Sequence, residues 1–249
     1  MQRITILGDG GLGRAVETAF MERGAGPGQP AEIRVLGRPP GGRHRPEHIG
    51  RPDLVIEASR SDAVLANLEA AMAAGARRLV VATTGWSADR PRVETLLRDT
   101  GATAIAAPNF SLGVALFGRL VEAAVELFGA LEAFDPYLLE WHRRAKRDRP
   151  SGTAIELARR IADRHPRLSS ADELEVVSLR AGASPGMHLV GFDAAGETVE
   201  LRLTARDRSA YAAGILAAAD WLERQPRSPG LHEFDLVVDE LIARQPIAA

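Results

Sequence analysis

The residues Trp141 to Ala154, WHRRAKRDRPSGTA, gather several groups able to do chemistry into one short run. His142 sits among Lys and Arg residues, and the run halts at Pro-Ser-Gly-Thr. Residue types alone leave three uses open: contact with nucleic acid, a solvated face, or a grip on a small anion beside a proton donor. In the third, His142 passes a proton near neutral pH, and Lys146, four residues on, adds charge and a donor. Ser151, Gly152 and Thr153 open a helix, so their hydroxyls and the backbone N–H groups of Gly152 and Thr153 point at a carboxylate or phosphate. On spacing alone, a solvated basic turn whose serine caps a helix is an equal reading.

Composition narrows the choice. The chain has 249 residues, 45% of them apolar and 26% charged, which is ordinary for a soluble globular protein. The formal net charge is −2, so the basic run is a local feature and not the mark of a nucleic-acid binder. The run also has no aromatic platform beyond Trp141. No cysteine is present, which removes disulfides, thiol nucleophiles and thiolate metal sites, and no metal is expected. MQRITILGDGG lacks the apolar core of a signal peptide, and no apolar run reaches membrane-spanning length. The expectation is a soluble cytoplasmic protein with no membrane or nucleic-acid partner.

A second reactive pattern lies near the start. Gly8-Asp9-Gly10-Gly11-Leu12-Gly13 satisfies G-x-G-x-x-G between an apolar strand and a helix with Ala15, Val16, Ala19 and Phe20 at helical spacing. Glycine lets the backbone approach a pyrophosphate that faces the helix N-terminus. A tight structural turn is the alternative, but its place as the first β-turn-α of an alternating chain favours a dinucleotide. The second strand ends VLGRPPGGRHR, with Arg38 where an acidic residue would bond the ribose of NAD, and Arg43 and Arg45 nearby. Arginine suits a 2′-phosphate, which makes NADPH the sharper expectation over NADH; exposed loop charges are the alternative.

These groups must be positioned by regular elements. Strand signals at 4–7, 33–36, 53–59, RRLVVATTG and 102–107 alternate with helical ones at 63–74 and around 93–97, which predicts a doubly wound parallel sheet. Beyond Pro108 the pattern changes: a long helix ending at Gly129, strand-like YLLEWH, a helix capped by Ser151, then strands of antiparallel character around an Ala-Gly turn. Helices SAYAAGILAAADWLERQ and FDLVVDELIARQ close the chain, and Pro39 to Pro52 reads as a mobile loop. The expected fold is α/β, Rossmann-like, with an inserted α+β domain. The dinucleotide-binding domain would take 1–108 and 209–249, and the substrate-binding and oligomerisation domain 109–208.

Several of these segments resemble the 4-hydroxy-tetrahydrodipicolinate reductase (dihydrodipicolinate reductase) family in order and spacing: GDGGLGR, ATTG, APNFSLGV, EWHRRAKRDRPSGTA, RAGASPGMHLVGF and ETVELRLTARDRSAYAAG. The resemblance covers nearly the whole chain, and K-x-D-x-P-S-G-T-A is its most specific part. It implies hydride transfer from NAD(P)H to a cyclic dicarboxylate imine in lysine and diaminopimelate biosynthesis, by a homotetramer assembled through the inserted domain's sheet. By position, His142 matches the proton donor or acceptor, Lys146 the catalytic lysine, and Gly152 and Thr153 the contacts to a substrate carboxylate. Ala82, Thr83 and Thr84, with Ala107, Pro108, Asn109 and Phe110, match segments lining the nicotinamide side. Arg143 stands where the family has a second histidine, and Leu203 where it has a later one. These departures keep open a member reducing another cyclic imine or keto acid, or an inactive NADP-binding paralogue. His188 fits the pattern, although a lone strand histidine is more often structural.

Overall fold

Apolar, β-branched runs flanked by glycine turns become short strands buried on both faces. The computed structural model describes residues 2–23 and 30–244. In chain order the elements are β1 (Gln2–Leu7), α1 (Gly11–Glu22), β2 (Pro30–Leu36), α2 (Pro46–Ile49), β3 (Leu54–Glu57), α3 (Val64–Ala73), β4 (Arg78–Val81), α4 (Arg90–Thr100) and β5 (Thr103–Ala106). They continue with α5 (Leu112–Gly129), β6 (Asp135–His142), α6 (Gly152–Arg164), β7 (Glu175–Arg180), β8 (Gly186–Ala194), β9 (Glu197–Ala205), α7 (Ser209–Arg224), β10 (Gly230–Glu233) and α8 (Phe234–Ala243).

The chain splits into two compact units, one from Met1–Leu112 and Arg208–Ala249, the other from Gly113–Asp207. The first holds a six-stranded sheet in the order β10-β5-β4-β3-β1-β2, parallel throughout. Val55, Leu79, Val81 and Ala104 pack with Leu68 of α3 and Val93 and Leu97 of α4. The alternate residues Ile6, Ile56, Val80 and Ile105 are equally buried, so helices cover both faces. Leu7, Leu36 and Glu57 lie side by side in register. Three parallel strands thus end level, and the turns after them open one crevice at their carboxyl edge, where doubly wound sheets bind ligands.

The second unit holds the sheet β7-β6-β8-β9. One face is covered by α5 and α6, with Val121, Val125, Leu157 and Ile161 packed on Leu138, Val190 and Phe192. The β8–β9 hairpin is antiparallel, but β7 runs parallel to β6. This corrects the expectation of antiparallel character for that strand: α6 carries the chain back to the end of the sheet where β6 began. Two further segments are shown by the fold. The stretch Pro39 to Pro52 includes a helical turn with Ile49 buried, the carbonyls of Ile49 and His48 each accepting from Arg34. β10 has no apolar run to announce it and becomes a strand only by pairing with β5.

Candidate active site

The period of two along β6 decides which of its side chains meet. Glu140 and His142 point to one face of the sheet, Leu139 and Trp141 to the other. Across the sheet, Glu140 lies opposite Ser178 of β7 and His188 of β8, and His188 lies opposite Leu203 of β9. In the next row, His142 lies opposite Arg180. Two rows of polar side chains therefore stand at the end of a face that is otherwise apolar. Cross-strand neighbours are the closest contacts a sheet offers.

Glu140 is the hub, with a side chain fully buried. Its Oε1 accepts from the backbone N–H of Ser151 (3.0 Å), the hydroxyl of Ser178 (2.6 Å) and the guanidinium of Arg180 (2.7 Å). Burial pushes this carboxyl up, but those hydrogen bonds outweigh burial and hold it down at about 2. Oε2 lies 3.2 Å from His142 Nδ1 and 3.8 Å from His188 Nε2. Neither Oε2 nor His142 Nδ1 has an aligned hydrogen-bond partner among the described residues.

The two imidazoles meet edge to face, 5.2 Å between ring centres. Burial lowers the pKa of His142, with Lys146 and Arg180 acting in the same sense against the pull of Glu140. Burial and the neighbouring His142 take His188 down to about 4. Both rings are thus neutral at neutral pH. Gly186 makes room for the first of them: a Cβ there would lie 3.0 Å from His142 Nε2.

The remaining residues of the basic run are sorted by the fold. Lys146 is partly buried and pairs with Asp148 at 2.8 Å, while Arg143, Arg144, Arg147 and Arg149 are exposed. Ser151 caps α6 by accepting from Ala154 N–H, and its hydroxyl also lies 3.3 Å from His188 Nε2. That hydroxyl is buried and committed inward. Gly152, one residue on, is exposed, with no atom within 4 Å of where its Cβ would be, so the open end of α6 starts there. Leu203 packs against the apolar cluster under α5 and α6. Glu140, Ser178 and Arg180 are the polar partners that sequence reasoning passed over. Their signal was alternation of polar residues on adjacent strands, visible only once strand pairing is known.

In the first unit the glycine turn meets the demands of a close-approach site. Gly8 has φ +121°, and a Cβ on it would meet the Ala58 carbonyl at 2.3 Å. A Cβ on Gly13 would fall 1.9 Å from the Gly8 carbonyl, whereas the face of Gly10 is open. A cavity of ≈ 270 Å³ lies here, lined among others by Gly8, Gly10, Gly37, Arg38, Ser59 and Arg60. Arg43 and Arg45 are exposed and lie outside its lining. Gly11 and Leu12 form the first turn of α1. These features fit the close backbone approach that a dinucleotide requires.

The other expected cofactor contacts are placed unevenly. The Thr83 hydroxyl turns inward and donates to the buried Glu57, which also accepts from Ser59 and Asn67; Ala82 is half-buried and Thr84 exposed. Burial raises the Glu57 pKa. Asn109 Oδ1 accepts from Ser111 N–H, and the Phe110 ring is buried against Phe234, with Ala107 and Pro108 leading into that turn.

Comparison with known proteins gives the family and the fold. The family profile described as dihydrodipicolinate reductase, C-terminus, matches residues 113–237. A 4-hydroxy-tetrahydrodipicolinate reductase from Archaeoglobus fulgidus is 32% identical over 94% of this chain and 98% of its own. One from Wolinella succinogenes is 37% identical over 70% of this chain and 72% of its own. A dipicolinate-bound dihydrodipicolinate reductase from Paenisporosarcina sp. TG-14 shares the fold, with a TM-score of 0.70 over 94% of this chain and 97% of that one at 20% identity. Fold, crevice and relatives define the class as Rossmann-like oxidoreductases that use a nicotinamide cofactor. The chain belongs to the 4-hydroxy-tetrahydrodipicolinate reductase family.

Proposed function

We propose that this chain reduces 4-hydroxy-tetrahydrodipicolinate to tetrahydrodipicolinate with NAD(P)H, in lysine and diaminopimelate biosynthesis. The observation that carries the reading is the buried pair of rows Ser178–Glu140–His188 and Arg180–His142, at the strand end that leads to Lys146 and the open start of α6. The open Gly10 turn would hold the cofactor's pyrophosphate, with Gly8 and Gly13 allowing the close turn and helix packing behind it, and Arg38 would hold its 2′-phosphate. The bound cofactor supplies the hydride.

The chain's own residues then do three things. Gly152 and Thr153 N–H groups and Lys146 take one substrate carboxylate, and Arg143 takes the other in a bidentate grip. The Lys146 ammonium offsets negative charge developing on the reduced conjugated system. His142, neutral at rest, exchanges a proton through Nε2, and the Glu140 carboxylate near Nδ1 stabilises its protonated form through charge. The contact of Lys146 with Asp148 is partly solvated and weak enough for a substrate carboxylate to displace.

Glu140, His142 and His188 also offer donor atoms within 4.8 Å of one another, a metal-like spacing. Arg180 already brings positive charge to the same carboxylate, so the cluster reads as proton-handling. The other face of the sheet carries exposed Val177 and Leu179 beside half-buried Leu139 and Trp141, which supports self-association into a homotetramer. No described helix is long and apolar enough to cross a membrane.

The test is cofactor oxidation followed by nicotinamide absorbance, with substrate made in place by a synthase from pyruvate and aspartate semialdehyde. NADPH and NADH are run in parallel, with and without a chelator. Rapid, chelator-insensitive oxidation is expected. Tight cofactor binding without turnover would reject the substrate, and loss of activity to the chelator would reject the proton-handling cluster.

A further inference from the structure

In dinucleotide sites of this architecture, an acidic side chain near the end of the second strand bonds the ribose hydroxyls of NAD. β2 ends at Leu36 and is followed by Gly37 and Arg38, so that position carries no acid. The structure fills the gap from elsewhere. The Asp9 carboxylate, on the glycine turn after β1, is folded against Gly37: a Cβ on Gly37 would lie 2.6 Å from Asp9 Oδ2. Absence of a side chain at 37 is thus what allows a carboxylate from position 9 to stand at the tip of β2. Gly37 is outside the positive-φ set, so its identity is explained by this space and not by backbone conformation.

The charges around the same cavity sort themselves. Arg60 is held by Asp62 through two hydrogen bonds, at 3.0 and 2.9 Å. Asp9 and Arg38 both line the cavity, both are exposed, and neither makes a side-chain hydrogen bond or ion pair among the described residues. Asp62, on the same cavity, feels the Arg38 charge, but no hydrogen bond or ion pair among the described residues holds Arg38, so one carboxylate and one guanidinium remain to face a ligand. A helix-dipole role for Asp9 would be met by any acid ahead of α1, and would not require the side chain to lie across Gly37.

We infer that Asp9 replaces the missing strand-end acid, accepting from the adenosine ribose hydroxyls, and that with Arg38 it sets the choice between NADH and NADPH. The inference rests on the cofactor reading above. Arg38 favours a 2′-phosphate, and Asp9 opposes it while favouring a free 2′-hydroxyl.

The experiment measures dissociation constants of NADH and NADPH for four proteins: the natural chain, Asp9→Asn, Arg38→Ala, and a double variant with Asp9→Ala and Gly37→Asp. Thermal melting checks that each is folded. Asp9→Asn should weaken NADH about tenfold, the scale of one hydrogen bond to a charged group, while leaving NADPH unchanged or tighter. Arg38→Ala should weaken NADPH alone. The double variant, which returns the acid to the strand end, should recover NADH binding. An unchanged NADH-to-NADPH ratio in Asp9→Asn, or equal weakening of both, would overturn the inference. A natural chain that binds neither cofactor would instead overturn the cofactor reading itself.

Discussion

At the scale of single residues, the proposed chemistry in the second unit needs a neutral imidazole beside a buried carboxylate, with the Lys146 ammonium near enough to act on that imidazole. Removing the imidazole or the ammonium should act on turnover and not on the glycine turn. His142→Ala and Lys146→Ala are each expected to lower kcat by about 10²–10⁴-fold, the usual worth of a positioned proton-transfer group, with cofactor dissociation constants nearly unchanged. Steady-state kinetics with parallel cofactor titrations check this; normal turnover in both variants would remove them from the mechanism. Arg143 is a different matter. Its backbone N–H donates to the Ser184 carbonyl at 2.7 Å, so the chain path is set whatever the side chain is, and the guanidinium is left exposed. A family histidine could therefore become arginine here without disturbing the strand end. Leu203 has an equally local explanation, since it ends the row beyond His188 and packs into the apolar cluster.

At the scale of elements, the mixed sheet stores its polar rows at a measurable cost in acid. His188 sits near 4 in the fold and at its ordinary 6.5 when unfolded, so a lowered base is at issue. Above about 6.5 both states are neutral there and the group contributes nothing. As pH falls from 6.5 to 4, the unfolded chain gains a proton that the native row refuses, and stability declines by roughly 3 kcal/mol. Glu140, held at about 2 against an ordinary 4.5, contributes stability above 4.5 that is lost as pH falls toward 2. Melting temperature should drop between pH 6.5 and 4, and His188→Gln should flatten part of that drop. A variant whose curve parallels the natural chain would show that the histidine is not buried in its neutral form.

At the scale of the whole molecule, the proposed assembly would use the outer face of the mixed sheet. Val177 and Leu179 are 45% and 46% exposed, and Leu139 pairs with Val177 on one side and Leu189 on the other. Arg202 and Glu200 continue the rows on β9, so the exposed apolar side chains form a patch on β6 and β7, and such a patch opposite a helix-covered face is unusual on a monomer in water. Native mass spectrometry should find a tetramer, and Val177→Asp with Leu179→Asp should dissociate it while leaving the monomer folded. A monomeric natural chain would reject the assembly.

What the sequence determined by itself is whatever is encoded over a few neighbouring residues. The glycine turn, the Ser151 cap, the apolar strands and the K-x-D-x-P-S-G-T-A run are each local patterns, and local backbone sterics and periodicity are enough to read them. The places of Arg38, just past β2, and of His142, at the end of β6, were legible for the same reason. Only the tertiary structure decided which residues stand across from one another. Glu140, Ser178, Arg180 and His188 come from three strands between 140 and 188, and the parallel return of β7 sets which of them share a row. Asp9 and Gly37 are 28 positions apart, and their contact exists because β1 and β2 end level. Pairing register is a long-range property, set by the burial of whole faces, and no window along the chain contains it.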